Sequence, residues 1–186
     1  MKKLAAFLVI AFVSSQLIAQ MRFNPQIGLS MMNVGNPPAG VNFDGKAGVS
    51  IGADLRVGGR FQIIPGAHFL STVSAYSSST AGNSTIITGD VKTNYIKLKA
   101  LADYNIIDGS IFKFRANFGP SYDFLVSKKS SVLGNVNSGD FFLQGGLGID
   151  VLFLTADVGY AQALTNKFES GAGKSRGVYI NLGIVL

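Results

Sequence analysis

From residue 46 to residue 57 every second position is apolar. Ala47, Val49, Ile51, Ala53, Leu55 and Val57 alternate with Lys46, Gly48, Ser50, Gly52, Asp54 and Arg56. Strand side chains point to opposite faces in turn, so this segment has one apolar face and one face of charges and small residues. The same period of two marks eight segments, roughly 22–32, 46–57, 60–73, 94–105, 111–126, 140–151, 154–162 and 177–186. Most exceed the ~5–6 residues of an average globular strand and reach the ~9–11 that a tilted strand needs to cross a bilayer. No helical 3.6-residue pattern competes beyond the N-terminal segment. The connections alternate between long and short. NVGNPPAGVNFDG, SAYSSSTAGNSTIITGDVKT, SKKSSVLGNVNSG and TNKFESGAGKSR are long; Gly58-Gly59, Ile107-Asp108-Gly109 and Leu152-Phe153 are short. That rhythm predicts an eight-stranded antiparallel up-and-down transmembrane β-barrel with long outer loops, short periplasmic turns and both termini in the periplasm.

The two faces sort by chemistry. The apolar parity includes Ile27, Leu29, Met31, Phe61, Ile63, Phe69, Ile96, Leu98, Phe112, Phe118, Leu147, Val158, Ile180 and Leu182, and no charged residue falls on it. The other parity carries Lys46, Asp54, Arg56, Arg60, Lys97, Lys99, Asp103, Lys113, Arg115, Asp123, Asp150 and Asp157. Ten strand glycines share that charged parity, whereas Gly145 alone sits on the apolar one. Glycine weakens a solvated strand, but a narrow eight-stranded lumen needs small residues between long ones. The charged face is therefore read as the inside, and its charges as a paired network that plugs the lumen; a narrow pore is the alternative. A soluble lipocalin-like barrel would instead expose those glycines and charges to water. Phe61, Tyr104, Phe112 and Phe153 are expected at the periplasmic rim, and Phe69, Tyr122, Phe124, Phe141 and Tyr160 nearer the outer one. Pro65 and Pro120 interrupt strands, so bulges or early strand departures are expected there.

Composition adds the compartment. Lys2 and Lys3 precede the apolar run Leu4–Val13, and Ala19 offers a small residue at a cleavage position. This predicts a secretory signal peptide over residues 1–19 and a barrel domain over 20–186. No run of 18 apolar residues exists to form a membrane helix. There is no cysteine, which excludes disulfides and a lipid-modified N-terminal cysteine. Without Lys2 and Lys3 the chain keeps 14 cations against 10 anions, far from a nucleic-acid signature.

The segments YIKLKALADYNI (95–106), FKFRANFGPSYDFLVSKK (112–129), GGLGIDVLFLTADVGYAQAL (145–164) and the terminal GVYINLGIVL resemble the outer-membrane β-barrel domain common in Bacteroidetes. That group is also called PorT-like or porin-family and is similar in architecture to OmpA/OmpX-type small barrels. The chain departs from it at Lys99, often proline there, and at Leu186, usually aromatic. The resemblance implies insertion by the barrel-assembly machinery and, for a few members, a part in secreting other proteins.

Chemistry beyond the lumen charges is sparse. His68, the single histidine, falls on the lumen parity near Ser71, Thr72 and Ser74, but Glu169 is the only glutamate and no triad is oriented. His68 is read as a hydrogen-bonded lumen or rim residue, and the protein as no enzyme. A lipid-modifying barrel enzyme is the rival reading. No cofactor motif, phosphate-cradling glycine loop or metal-ligand spacing is present. Lys92, Lys128, Lys129, Lys167, Lys174 and Arg176 outnumber Asp44, Asp90, Asp140 and Glu169 in the outer loops. The expected partners are outer-membrane lipid, lipopolysaccharide phosphates met by these cations, and an envelope protein.

Overall fold

The computed structural model describes residues 21–35, 41–45, 47–79, 86–129, 138–166 and 174–186. The expected signal peptide and Lys46 lie outside the described residues. Nine strands follow in order: β1 (Met21–Gly35), β2 (Val41–Gly45), β3 (Ala47–Gly58), β4 (Phe61–Ser79), β5 (Ile86–Asp108), β6 (Phe112–Lys129), β7 (Gly139–Val151), β8 (Leu154–Ala163) and β9 (Lys174–Ile184). All pairs are antiparallel, and the wall runs β1, β3, β4, β5, β6, β7, β8, β9 and back to β1. Eight positions thus close a barrel with no free edge. β2 continues the β3 position along β4, with its register offset by one residue: Gly45 faces Ser74, whereas Val49 faces Ser71.

Apolar alternation decides which face turns outward. Ile27, Leu29, Ile51, Ile63, Leu98, Phe118, Leu147, Val158, Ile180 and Leu182 all project from the wall, Ile51 with 62% of its surface exposed. In water such a belt would be an aggregation surface; in lipid it is the expected one. Phe61, Tyr104, Phe112 and Phe153 are exposed toward the end carrying the short turns, while Phe69, Phe124 and Tyr160 are exposed toward the opposite end.

The short turns follow from local chemistry. Gly58 takes φ 125°, which suits a residue without Cβ, and ends β3. Gly109 N–H donates to the Phe112 carbonyl at 3.0 Å. Leu152, at φ 56°, carries the left-handed conformation of the two-residue β7–β8 turn. The two chain ends meet at this end too, where Phe23 and Leu186 exchange backbone hydrogen bonds of 3.1 and 2.8 Å.

Two expectations change. The stretch 74–93, read as a polar loop, is largely strand: β4 runs to Ser79 and β5 starts at Ile86, paired from Phe61↔Tyr104 to Ser79↔Ile86. Together with β2, which occupies part of the expected first long loop, they form a three-stranded extension past the barrel wall. Beyond the lipid a strand needs no apolar face, so the Ser/Thr-rich sequence hides it. The prolines, moreover, make gaps and not bulges. Pairing between β3 and β4 stops at Asp54↔Gly66 and resumes at Val57↔Ile63 in the same register, skipping Pro65. Pairing between β5 and β6 likewise skips Pro120. The register shifts fall at Val126 and Ile106 instead.

The polar lumen as candidate functional site

The alternating residues that point inward come from every wall strand, so the lumen is built in layers. Nearest the short turns, Arg56 from β3 and Arg115 from β6 reach across the interior, each only 1% exposed. Arg115 donates from Nη1 to Asp103 at 3.1 Å, from Nε to Asp150 at 3.1 Å, and from Nη2 to Asp157 at 2.7 Å and Thr155 at 3.0 Å. Arg56 donates to Asp150 and Thr155, both at 2.8 Å. With its amide oxygen turned toward Arg56, Asn24 accepts from Nη2 at 2.8 Å and Nε at 3.1 Å. The planar guanidinium fork suits this task, because one side chain can bridge carboxylates on several strands.

Above this layer, Asp54 is shared. His68 Nε2 lies 2.8 Å from its Oδ1 and Lys99 Nζ 2.9 Å from its Oδ2. A cavity of about 40 Å³ adjoins them, lined in part by Ser30, Ser50, His68, Lys97, Lys99 and Tyr179. Tyr179 lies over Gly159 and Gly146: an alanine Cβ at Gly146 would stand 3.1 Å from its hydroxyl oxygen. The glycines of the inner face thus make room for large lumen side chains. Higher still, Lys97 lies 3.4 Å from Asp123 and 5.2 Å from the centre of the Phe142 ring. Phe142, Ala161 and Ala163 form an apolar cluster there with Met32 and Tyr179.

A belt of outward apolar residues around a polar, ion-paired interior calls for comparison with membrane barrels. The model of the outer membrane protein beta-barrel domain family matches residues 14–169. The chain belongs to this family. Among solved structures, the chain is similar to the translocator domain of the autotransporter NalP from Neisseria meningitidis, at 14% identity and a TM-score of 0.42 over 97% of each chain. No curated protein matches the chain.

Within this outer-membrane barrel, the sequence-selected charges divide. Asp54, Arg56, Lys97, Lys99, Asp103, Arg115, Asp123, Asp150 and Asp157 face the lumen. Arg60 does not: its guanidinium sits 5.4 Å from the centre of the outward-facing Tyr104 ring and its Nε donates to the Asn105 carbonyl at 3.2 Å. It lies in the short β3–β4 turn, where strand parity no longer governs direction. Lys113 pairs with Asp108 at 2.6 Å at the short-turn rim, apart from the central network. Several lumen residues carry no charge and were invisible to a charge count. Asn24, Gln26, Gln62, Asn105, Asn117 and Gln144 are buried polar members, and Ile64, Leu70, Tyr95, Leu101 and Phe142 are buried apolar ones. Strict inward parity was the signal that could have found them. Among the described residues, no three metal-ligating side chains converge.

Proposed function

We propose that this outer-membrane barrel is a non-enzymatic envelope protein whose lumen is closed by its own ion pairs and whose long-loop end meets other envelope or surface components. One observation carries the reading: Arg56 and Arg115 span the interior between β3, β6, β7 and β8 at hydrogen-bonding distance, with almost no exposure. Unpaired charges in so narrow a space are costly, so the network resists dissolution into a water-filled path. In this reading residues 1–19 are a cleaved signal peptide, residues 20–186 are the barrel domain, and the short turns face the periplasm. Exposed Lys92, Lys174 and Arg176 at the other end supply point charges for lipopolysaccharide phosphates. His68 acts as a structural partner of Asp54.

The experiment is conductance of the purified, reconstituted barrel in planar bilayers, alongside a gel-mobility shift on heating. The expected result is a heat-modifiable protein without stable conductance steps. A wild-type protein with steady ion conductance overturns the closed-lumen reading, and a soluble protein without heat modifiability overturns the membrane one. A second reading, a subunit of a protein-secretion or envelope-assembly machine, draws on the β2–β4–β5 extension and on the likeness of the quoted segments to PorT-like Bacteroidetes barrels. Co-purification of large envelope proteins after cross-linking in intact outer membranes would favour it.

A further inference from the structure

We propose that the Arg56–Arg115 layer binds one proton at neutral pH, held on Asp103 and donated to the side-chain oxygen of Gln62. Charge comes first. Two guanidinium groups face three carboxylates, Asp103, Asp150 and Asp157, in a layer sealed from water. The other cations are engaged outside the layer: Lys99 with Asp54, Lys113 and Arg22 with Asp108 at the short-turn rim, and Arg60 with the Tyr104 ring and the Asn105 carbonyl. An uncompensated buried charge is among the most costly features a protein interior can hold, and protonation is the usual remedy.

Hydrogen bonding then says where the proton sits. Asp150 accepts from both arginines, and Asp157 accepts from Arg115 and, at 3.5 Å, from Gln26. Asp103, 0% exposed, accepts from Arg115 through Oδ1 alone, and its Oδ2 is buried without a partner. Gln62, directly opposite Asp103 across the β4–β5 ladder, has a second such oxygen in Oε1. The Gln62 amide is not free to turn: its Nε2 donates to Asn105 Oδ1 at 3.3 Å, and Asn105 Nδ2 donates to the Gly59 carbonyl at 3.3 Å. Two acceptors on facing residues are thus left without a donor. One proton on Asp103 Oδ2 supplies the donor, satisfies Gln62 Oε1 and balances the layer. A hard metal cation asks for about six oxygens, and the unpartnered ones here are fewer and spread over four strands: Asp103 Oδ2, Gln62 Oε1, Asn117 Oδ1 opposite Asp103 across the β5–β6 ladder, and Gln26 Oε1 on β1.

The groups facing Asp103 are Arg56 from β3, Gln62 from β4, Arg115 and neutral Asn117 from β6, Asp150 from β7 and Asp157 from β8, with neutral Asn24 and Gln26 on β1. The inference leans on the closed-lumen reading only in needing this layer dry. Its test measures stability and not conductance, so either can fail alone.

The test is urea unfolding of the full barrel in lipid vesicles between about pH 6 and 8, for wild type and Asp103→Asn. In the unfolded chain Asp103 is ionised over this range, so the folded wild type holds one extra proton. Its folding equilibrium constant should fall about tenfold more per pH unit than that of Asp103→Asn, whose amide donates to Gln62 without a charge. His68 titrates alike in both proteins and drops out of the difference. Parallel pH profiles overturn the proposal. An infrared carbonyl band of a protonated carboxyl, shifted by aspartate isotope labelling of the wild type, gives an independent reading should the variant fail to assemble; its absence at neutral pH also overturns the proposal. So does a wild-type stability that changes when sodium and potassium are replaced by choline, because a metal cation then fills the place of the proton.

Discussion

Replacing Gly52 by alanine adds one methyl group where the inner wall has no space for it. The new Cβ would stand 2.5 Å from His68 Cγ and 2.6 Å from His68 Cα, and would run into the Ala67 carbonyl oxygen. Two of those three obstacles are β4 backbone, held in register by Gly52↔His68 and Ala53↔Ala67, so the strand cannot simply step aside. Overpacking of a filled interior costs about 1–3 kcal/mol. If the His68 ring yields as well, its 2.8 Å hydrogen bond to the Asp54 carboxylate is lost, roughly another 1.5–3 kcal/mol for a bond to a charged group. The sum, about 2.5–6 kcal/mol, is a large share of the ~5–15 kcal/mol that typically holds a domain folded. Gly145 is the control on the opposite face. An alanine Cβ there meets Phe118 Cδ2 at 3.2 Å and the Asn117 carbonyl oxygen at 3.5 Å, and the lipid-facing ring can shift. Alanine also relieves the strand of glycine's entropy cost, ~0.5–1 kcal/mol, so Gly145→Ala should lie within about 1 kcal/mol of wild type. The assay is urea unfolding in lipid vesicles, followed by gel mobility and tyrosine fluorescence. A Gly52→Ala barrel as stable as wild type would refute the inner-wall geometry at His68.

Two further perturbations probe the interior and the lipid face. Arg115→Met leaves Asp103 and Asp157 without their arginine partner, and equilibrium unfolding should show a loss of about 3–5 kcal/mol, as for other broken buried ion pairs; a change under 1 kcal/mol would mean the cross-lumen contacts do not form. Ile51→Arg puts a charge on the lipid face and should cost roughly 2–4 kcal/mol near the bilayer midplane, whereas Ile51→Leu should assemble and unfold like wild type.

The barrel wall was legible because lipid outside and charge inside are opposite solvents, and a period of two records the difference at every step. Hence the sequence alone puts Ile51 and Gly52 on opposite faces. The extension at 74–79 and 86–91 was not legible: its strands leave the lipid and lose the apolar half of the pattern. Arg60 was misassigned for a related reason, since alternation carries no information through a turn. Pro65 and Pro120 looked like bulges because each withholds one ladder donor, yet the strands keep register and simply omit the rungs. The pairing inside the lumen was beyond the sequence. That Asp150 joins both arginines while Asp54 joins His68 and Lys99 depends on the stagger of strands around the cylinder, which residue order does not encode.

The arginine layer also bears on how the chain reaches this state. Arg56 and Asp150 are 94 residues apart in sequence, Arg56 and Thr155 are 99 apart, and Gln26 and Asp157 are 131 apart. None of these contacts can form in a single hairpin, nor in a sheet zipped up strand by strand from one end. They arise only as β1 meets β9 and the cylinder shuts. Contacts so distant along the chain reward folding late, after most of the ordering entropy has been met, which makes for slow and cooperative acquisition of the native state. Before closure nothing seals the inner carboxylates and guanidinium groups from water, so their desolvation and their ion pairing fall together in the closing step. Sealing the last seam is then the step at which water leaves the interior and the barrel commits to the bilayer.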